Sequence, residues 1–305
     1  MTSGIITLKQ HNKMITNEQK DKIIAAVRDN RSNYPSDAKH AAALGITASA
    51  YSNIKKGNVE GQLSDANWIT IARRLNVMLG REVQWKTVST PTFQYITASL
   101  DFARQNSTGG IFCDEAGIGK TYTAQYYART HKNTVYVDCS QVKSKQRFIR
   151  GIAKEFGVGS TGRYSDVYDD LKYYLRTLEQ PLIILDEAGD LQYDAFLELK
   201  ALWNGAGENN CGWYMLGAEG LREKISRSIN CKKVGYAEVF NRYGNRFTRV
   251  TPDSEKERRQ FLNAQAETVA RGNAPDGVDI RALVVKSGGH LRRLFTEIQK
   301  SIQNS

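Results

Sequence analysis

The stretch Asp114-Glu115-Ala116-Gly117-Ile118-Gly119-Lys120-Thr121 constrains this chain more than any other, because a glycine-rich turn between a strand and a helix has few structural settings. The apolar residues Gly110-Ile111-Phe112-Cys113 before it read as a buried strand, and Tyr122 to Arg129 after it read as a helix. Such a turn points several backbone N–H groups at one spot, where the helix dipole also favours negative charge, so the β- and γ-phosphates of ATP can settle there. Lys120 then supplies a mobile cation and Thr121 a hydroxyl ligand for Mg²⁺, with Tyr122 next in line. The usual pattern has glycine where this chain has Asp114. Asp tolerates a left-handed backbone better than most residues, and its carboxylate is compatible with bound phosphates only if it faces away and caps the loop.

A second motif, Leu182-Ile183-Ile184-Leu185-Asp186-Glu187, describes a buried parallel strand that ends in two carboxylates beside the phosphate loop. Asp186 would hold Mg²⁺ through water, and Glu187 would orient and polarise the water that attacks the γ-phosphate. Acids are also favoured at a helix start, and Ala188 to Trp203 looks helical.

Charge points to a partner. A net charge of +11 in 305 residues with 40% hydrophobic content describes an ordinary globular chain that favours a polyanion, nucleic acid before membrane. Residues 1–100 hold eight Lys and five Arg against seven acids, so +6 of the excess lies in the first third. No apolar stretch is long enough to span a bilayer, no signal peptide is visible, and the cysteines Cys113, Cys139, Cys211 and Cys231 lack C-x-x-C spacing, which implies reduced thiols and a cytoplasmic protein.

The first third reads as helices over Asn17 to Asn30, Asp37 to Leu44, from about Thr47, and Asp65 to Leu75, with Gly45 as the turn of a helix–turn–helix. Ser49, Tyr51, Ser52, Asn53, Lys55 and Lys56 are residue types that reach phosphates and base edges, which favours DNA over a purely protein-contacting bundle. His40 reads as a helix-surface residue. A linker is expected over 80–92, where Pro91 interrupts any helical period. Beyond it, Thr134 to Cys139 and Gly212 to Gly217 read as strands, Phe148 to Phe156 as a helix, and everything after Ser254 as helical. The fold class expected is α/β: a small all-α helix–turn–helix domain over 1–79, a parallel-sheet P-loop core over 93–252 and a helical lid over 253–305.

The order of Asp114–Thr121, Leu182–Glu187, the strand ending at Gly217, Asn241-Arg242-Tyr243-Gly244-Asn245-Arg246-Phe247 and Gly288-Gly289-His290-Leu291-Arg292-Arg293 resembles an AAA+ ATPase. Joined to the helix–turn–helix, nearly the whole chain resembles the phage Mu B, TnsC and TniB type of transposition target-selection ATPase. The resemblance implies that Arg292 is the lid's sensor-2 arginine, with Arg293 a possible substitute, and that the strand-end sensor falls at Ala218 or Glu219, neither the usual polar residue. It offers Arg242 and Arg246 as arginine fingers acting on a neighbouring subunit's nucleotide, Arg246 preferred because it precedes Phe247. It further implies a filament or ring on largely non-specific duplex DNA, a transposase partner, and release on hydrolysis. Within the core, Lys143, Lys145 and Arg147 form the densest cationic turn and offer about three phosphate contacts, with Lys232-Lys233 the runner-up and a merely solvated basic helix start the bland alternative. A replication initiator or helicase loader, and a nucleotide-sensing helix–turn–helix regulator, are the competing functions. The N-terminal position of the small helical domain weighs against the first and Glu187 against the second.

Overall fold

The structure is a computed structural model that describes residues 15–75, 77, 79, 85–207 and 210–303; residues 1–14 of the expected helical domain, 80–84 of the expected linker and 304–305 of the expected lid lie outside them. The chain divides into two compact units, Met1–Glu82 and Val83–Ser305.

In the first unit, polar caps set each helix start. Thr16 accepts the Gln19 N–H while the Gln19 side chain accepts the Thr16 N–H, opening α1 (Asn17–Asn30) with a capping box. Ser36, Thr47 and Ser64 likewise cap α2 (Asp37–Leu44), α3 (Ala48–Lys55) and α4 (Asp65–Arg74). Between α2 and α3 the backbone turns at Gly45 with φ 71°, where Cβ would also approach the Arg74 guanidinium. Ile23, Val27, Leu44, Tyr51, Ile54, Trp68 and Ile71 form the core of this bundle. His40 is a correction to the sequence reading. It is fully buried, stacked on Tyr34 at 4.6 Å, and its Nδ1 shares a 2.9 Å hydrogen bond with the Tyr51 hydroxyl. Burial holds its pKa down at about 4.

The second unit opens with α5 (Pro91–Asn106). Pro91 starts this helix instead of breaking one, since its fixed φ suits the first turn and Thr90 caps the Phe93 N–H. There follow β1 (Gly109–Cys113), α6 (Lys120–Thr130), β2 (Thr134–Asp138), α7 (Lys145–Glu155), α8 (Tyr164–Thr177), β3 (Leu182–Asp186), α9 (Tyr193–Ala206), β4 (Gly212–Gly217), α10 (Glu219–Asn230) and α11 (Tyr236–Arg242). The lid helices are α12 (Glu255–Asn273), α13 (Ile280–Ser287) and α14 (Leu291–Gln303).

All four strands are parallel in the order β1-β4-β3-β2, and Thr248 bridges Phe112 along the free edge of β1. Every residue of β3 and β4 is buried, as a parallel sheet covered on both faces requires. Alternation sorts the strands: Ile183, Leu185, Trp213 and Met215 pack toward α7, α8, α9 and α11, while Leu182, Ile184, Tyr214 and Leu216 pack toward α5 and α6. Because β4 lies between β1 and β3, Gly217 and Ala218 end between the phosphate loop and Asp186-Glu187.

The expected helix from Ala188 to Trp203 is divided. A 3-10 turn over Ala188–Asp190 precedes α9, because Lys224 of α10 donates to the carbonyls of Gly189 (2.6 Å) and Leu191 (2.5 Å), which a continuous helix would use itself. Residues 85–90, placed in the linker by the sequence reading, pack on the lid: Trp85 meets Phe295 edge-on at 5.0 Å, and the Lys86 N–H donates to Asn273 Oδ1 at 2.7 Å.

Candidate functional site

The phosphate loop leaves β1 and enters α6 through two left-handed glycines, Gly117 (φ 81°) and Gly119 (φ 101°), a conformation open to them because they lack Cβ. Lys120 opens α6 with its ammonium drawn over the loop, donating to the carbonyls of Asp114 (2.7 Å) and Glu115 (2.5 Å). Burial lowers its pKa, opposed by the carboxylates of Asp114, Asp186 and Glu187.

Asp114 answers the question its substitution for glycine raises. One carboxylate oxygen accepts the N–H groups of Val250 (2.8 Å) and Thr251 (3.0 Å), and the other accepts the Glu115 N–H at 2.8 Å. The side chain is therefore turned away from the phosphate position and clamps the segment that runs beside β1. Its carboxylate thus caps the loop, the one setting in which an acid at this position is compatible with bound phosphates. Glu115, in the same loop, pairs with Arg258 of α12 at 3.4 Å, and the Leu291 N–H of α14 donates to Gly117 O at 3.0 Å, so the lid is fastened to the loop at two points.

Asp186 is buried at the end of β3. Its Oδ2 accepts the hydroxyls of Thr121 (2.7 Å) and Tyr136 (2.9 Å), while Oδ1 accepts the Glu187 N–H at 3.0 Å. Thr121 and Asp186 thus place oxygen atoms side by side that could hold a hard divalent cation such as Mg²⁺. Glu187 follows with φ 50° and ψ 40°, a left-handed conformation that costs a side-chain-bearing residue ~1–3 kcal/mol and persists where the surroundings impose it. Desolvation first, and then the Asp186 carboxylate, raise the Glu187 pKa above its ordinary value, with Lys120 opposing.

Gly117, Gly119, Lys120, Thr121 and Glu187 line one cavity of about 290 Å³. Its phosphate end is Ala116 to Thr121 with Glu187, Ala218 and Arg292. Much of the remaining lining is apolar and aromatic: Trp85, Val88, Phe93, Tyr122, Val269 and Phe295. Sequence reasoning found only Tyr122 of this second group. The signal available was the apolar Trp85 and Val88 in a stretch otherwise treated as linker. At the strand-end sensor position Ala218 brings no polar atom to the cavity, and Glu219 instead pairs with Arg222 at 3.3 Å.

The arginines separate. Arg292 lines the cavity, whereas Arg293 turns back to donate to Lys286 O at 3.0 Å. Arg242 packs over Trp203, its guanidinium carbon 5.8 Å from the ring centroid, while Arg246 is exposed and makes no hydrogen bond or ion pair with a described residue.

The basic turn is less free than its composition suggests. Lys143 pairs with Asp190 at 2.7 Å; Lys145 pairs with Glu198 at 2.9 Å and lies over Tyr164. Of the three expected phosphate contacts, Arg147 alone is exposed without a partner among the described residues. In the helical unit, Ser49 and Ser52 are exposed on α3 and Lys56 is exposed at its C-cap. Tyr51 is corrected to a core residue, since it is buried against His40. Asn53 donates to Gln62 at 2.7 Å, and Lys55 forms an exposed pair with Asp37 at 3.0 Å. Cys113, Cys139 and Cys211 are buried and Cys231 exposed, all as free thiols.

A parallel sheet with a phosphate loop, an acidic strand end and a helical lid closing one cavity is the arrangement of a nucleotide-binding P-loop ATPase, and the family profile described as "AAA domain" matches residues 103–225. The chain is 24% identical over 263 residues to the Mu-like prophage FluMu DNA transposition protein B of Haemophilus influenzae, covering 84% of this chain and 88% of that protein. It is 27% identical over 165 residues to the ATP-dependent target DNA activator B of Escherichia phage Mu, and equally to that of Escherichia phage D108, covering 52% of this chain and 50% of each of those proteins. The chain is thus similar to Mu B-type transposition proteins and carries an AAA domain. No helix among the described residues is long and apolar enough to cross a membrane.

Proposed function

We propose that this protein is the ATP-dependent target-DNA-binding component of a DNA transposition system: with ATP it assembles on duplex DNA, it delivers that DNA to and stimulates a transposase, and hydrolysis releases it. The observation that carries the reading is the convergence of Lys120, Glu187 and the lid residue Arg292 on one cavity whose opposite end can take a base. The names of the FluMu, Mu and D108 relatives agree with it.

The residues divide the work. The loop N–H groups and Lys120 hold the β- and γ-phosphates, and the aromatic end holds adenine through Trp85 and Phe295. Thr121 and Asp186 would hold Mg²⁺, which when bound supplies positive charge to the phosphate oxygens. Glu187 orients the attacking water and receives its proton, a task that its raised pKa suits. Arg292 reaches the nucleotide from the lid of the same subunit. Arg246, exposed and unpaired, serves as the finger supplied to a neighbouring subunit, in a ring or filament; Arg242, packed on Trp203, does not. DNA, bound largely without base preference, contacts the basic turn through Arg147 and Lys143 and α3 with its C-cap through Ser49, Ser52 and Lys56. The protein works in the cytoplasm, where target DNA is.

Imaging and sedimentation with random-sequence duplex test the assembly: ATP should produce filaments or rings along any duplex, and complexes confined to particular sequences would indicate an initiator instead. Mixing Arg246→Ala with Glu187→Gln subunits tests the finger. Hydrolysis should partly return, because a competent Glu187 then receives an intact arginine across the interface. Return with Arg242→Ala in place of Arg246→Ala moves the role.

A further inference from the structure

The turn that carries Glu187 is gripped from outside the nucleotide cavity. The Asp190 N–H donates to Glu187 O at 2.9 Å, so Asp190 closes the turn that Glu187 opens. Lys224 holds the carbonyls of Gly189 and Leu191 from α10. Lys143, from the basic turn after β2, holds the same segment twice: its Nζ pairs with Asp190 Oδ2 at 2.7 Å, and its carbonyl accepts the Gln192 N–H at 2.8 Å. A cation expected to meet DNA phosphate is thereby bound to the counter-ion three residues beyond the residue that activates water.

The two acid–base pairs of the basic turn differ in how readily they exchange. Lys145 pairs with Glu198, whose side chain is 13% exposed and also accepts the Tyr164 hydroxyl at 2.7 Å. Lys143 and Asp190 have side chains 51% and 41% exposed, so water and salt already screen their attraction. A duplex gains counter-ion release for each cation it captures, which favours the phosphate over the lone carboxylate of Asp190.

We propose that the Lys143–Asp190 pair is a latch through which duplex DNA controls Glu187: a phosphate that captures Lys143 frees Asp190, loosens the 188–191 turn and lets Glu187 take up its working position. Asp190 is a positioning residue, acting through Glu187 and touching neither nucleotide nor DNA. The latch rests on the reading of the basic turn as a duplex contact.

The test is steady-state ATP hydrolysis by the full chain, with and without random-sequence duplex, beside separate measurements of duplex affinity against salt. Asp190→Asn should raise the duplex-free kcat toward the duplex-stimulated value, leave KM for ATP in place and bring the stimulation ratio close to unity. Double reversal, Lys143→Asp with Asp190→Lys, re-forms the pair and should return duplex-free turnover to its low level while duplex no longer stimulates it. Unchanged or lower duplex-free turnover in Asp190→Asn, or a double variant as active without duplex as Asp190→Asn, overturns the latch. Lys143→Gln reports on the underlying reading by binding alone: it should weaken duplex affinity and reduce the salt slope by about 0.9. An unchanged affinity and slope would overturn the duplex contact itself, a failure distinct from one seen only in turnover.

Discussion

The two ends of the nucleotide cavity are built on opposite plans. The phosphate end is mostly one continuous peptide, Ala116 to Thr121, joined by Glu187 and Ala218 at two strand ends and by Arg292 of the lid, and a turn of this kind presents backbone N–H groups to an anion. The base end is gathered from separate parts of the chain: Trp85, Val88 and Phe93 before β1, Tyr122 on α6, Val269 on α12 and Phe295 on α14. The first end needs a particular local conformation, so it leaves a motif. The second needs only apolar surface at the right place, which many residues satisfy and no short pattern records.

That difference can be broken or sharpened by mutation. The largest effect should come from Glu187→Gln, which keeps the side-chain shape and removes the base: turnover should fall ~10²–10³-fold with ATP affinity retained, measured by single-turnover hydrolysis. Normal turnover would remove Glu187 from its role. Lys120→Ala should weaken ATP, ADP and tripolyphosphate alike by about a hundredfold, roughly 3 kcal/mol, because it acts on phosphate and not on base. Calorimetry showing a loss confined to ATP and ADP would erase the distinction between the ends.

A third variant lies outside the cavity and shows whether the helical unit follows its own chemistry. The His40 ring has an ordinary pKa of 6.5 and is held at about 4 in the native bundle, so the unfolded chain takes up its proton first as pH falls. Stability of α1–α4 should be nearly flat above pH 7 and decline from there to pH 4 by about 3 kcal/mol, read from hydrogen exchange in that unit. His40→Gln should remove the decline. The smallest effect is expected from Trp85→Ala, about 1 kcal/mol or roughly a fivefold loss of ATP affinity, with tripolyphosphate unaffected.

The same contrast explains what the sequence disclosed. The strands and the helices α1 to α4 were legible because burial on both sheet faces and one-sided burial on helices leave apolar periods, as in Leu182–Leu185 and the Trp68-Ile71-Ala72 face. The break at Leu191 was not, since it depends on Lys224 reaching across from α10. Asp114 looked anomalous until Val250 and Thr251 supplied its partners from far along the chain. Tyr51 and His40 misled because polar-tipped aromatic side chains in a short helix carry no mark of burial; only their mutual hydrogen bond and the stacking of Tyr34 make it tolerable. In the basic turn, counting cations overstated the free charge, because Asp190 and Glu198 arrive from other elements to meet Lys143 and Lys145.

The central claim is that one cavity binds ATP and hydrolyses it in step with duplex binding. It is tested most directly by the steady-state ATPase rate of the wild-type chain with and without random-sequence duplex, with Glu187→Gln alongside. The account predicts turnover that rises with any duplex, falls back with added salt and is lower by ~10²–10³-fold in Glu187→Gln whether or not duplex is present. A wild-type rate that is indifferent to duplex, or negligible under both conditions, would contradict it and leave a nucleotide sensor in its place.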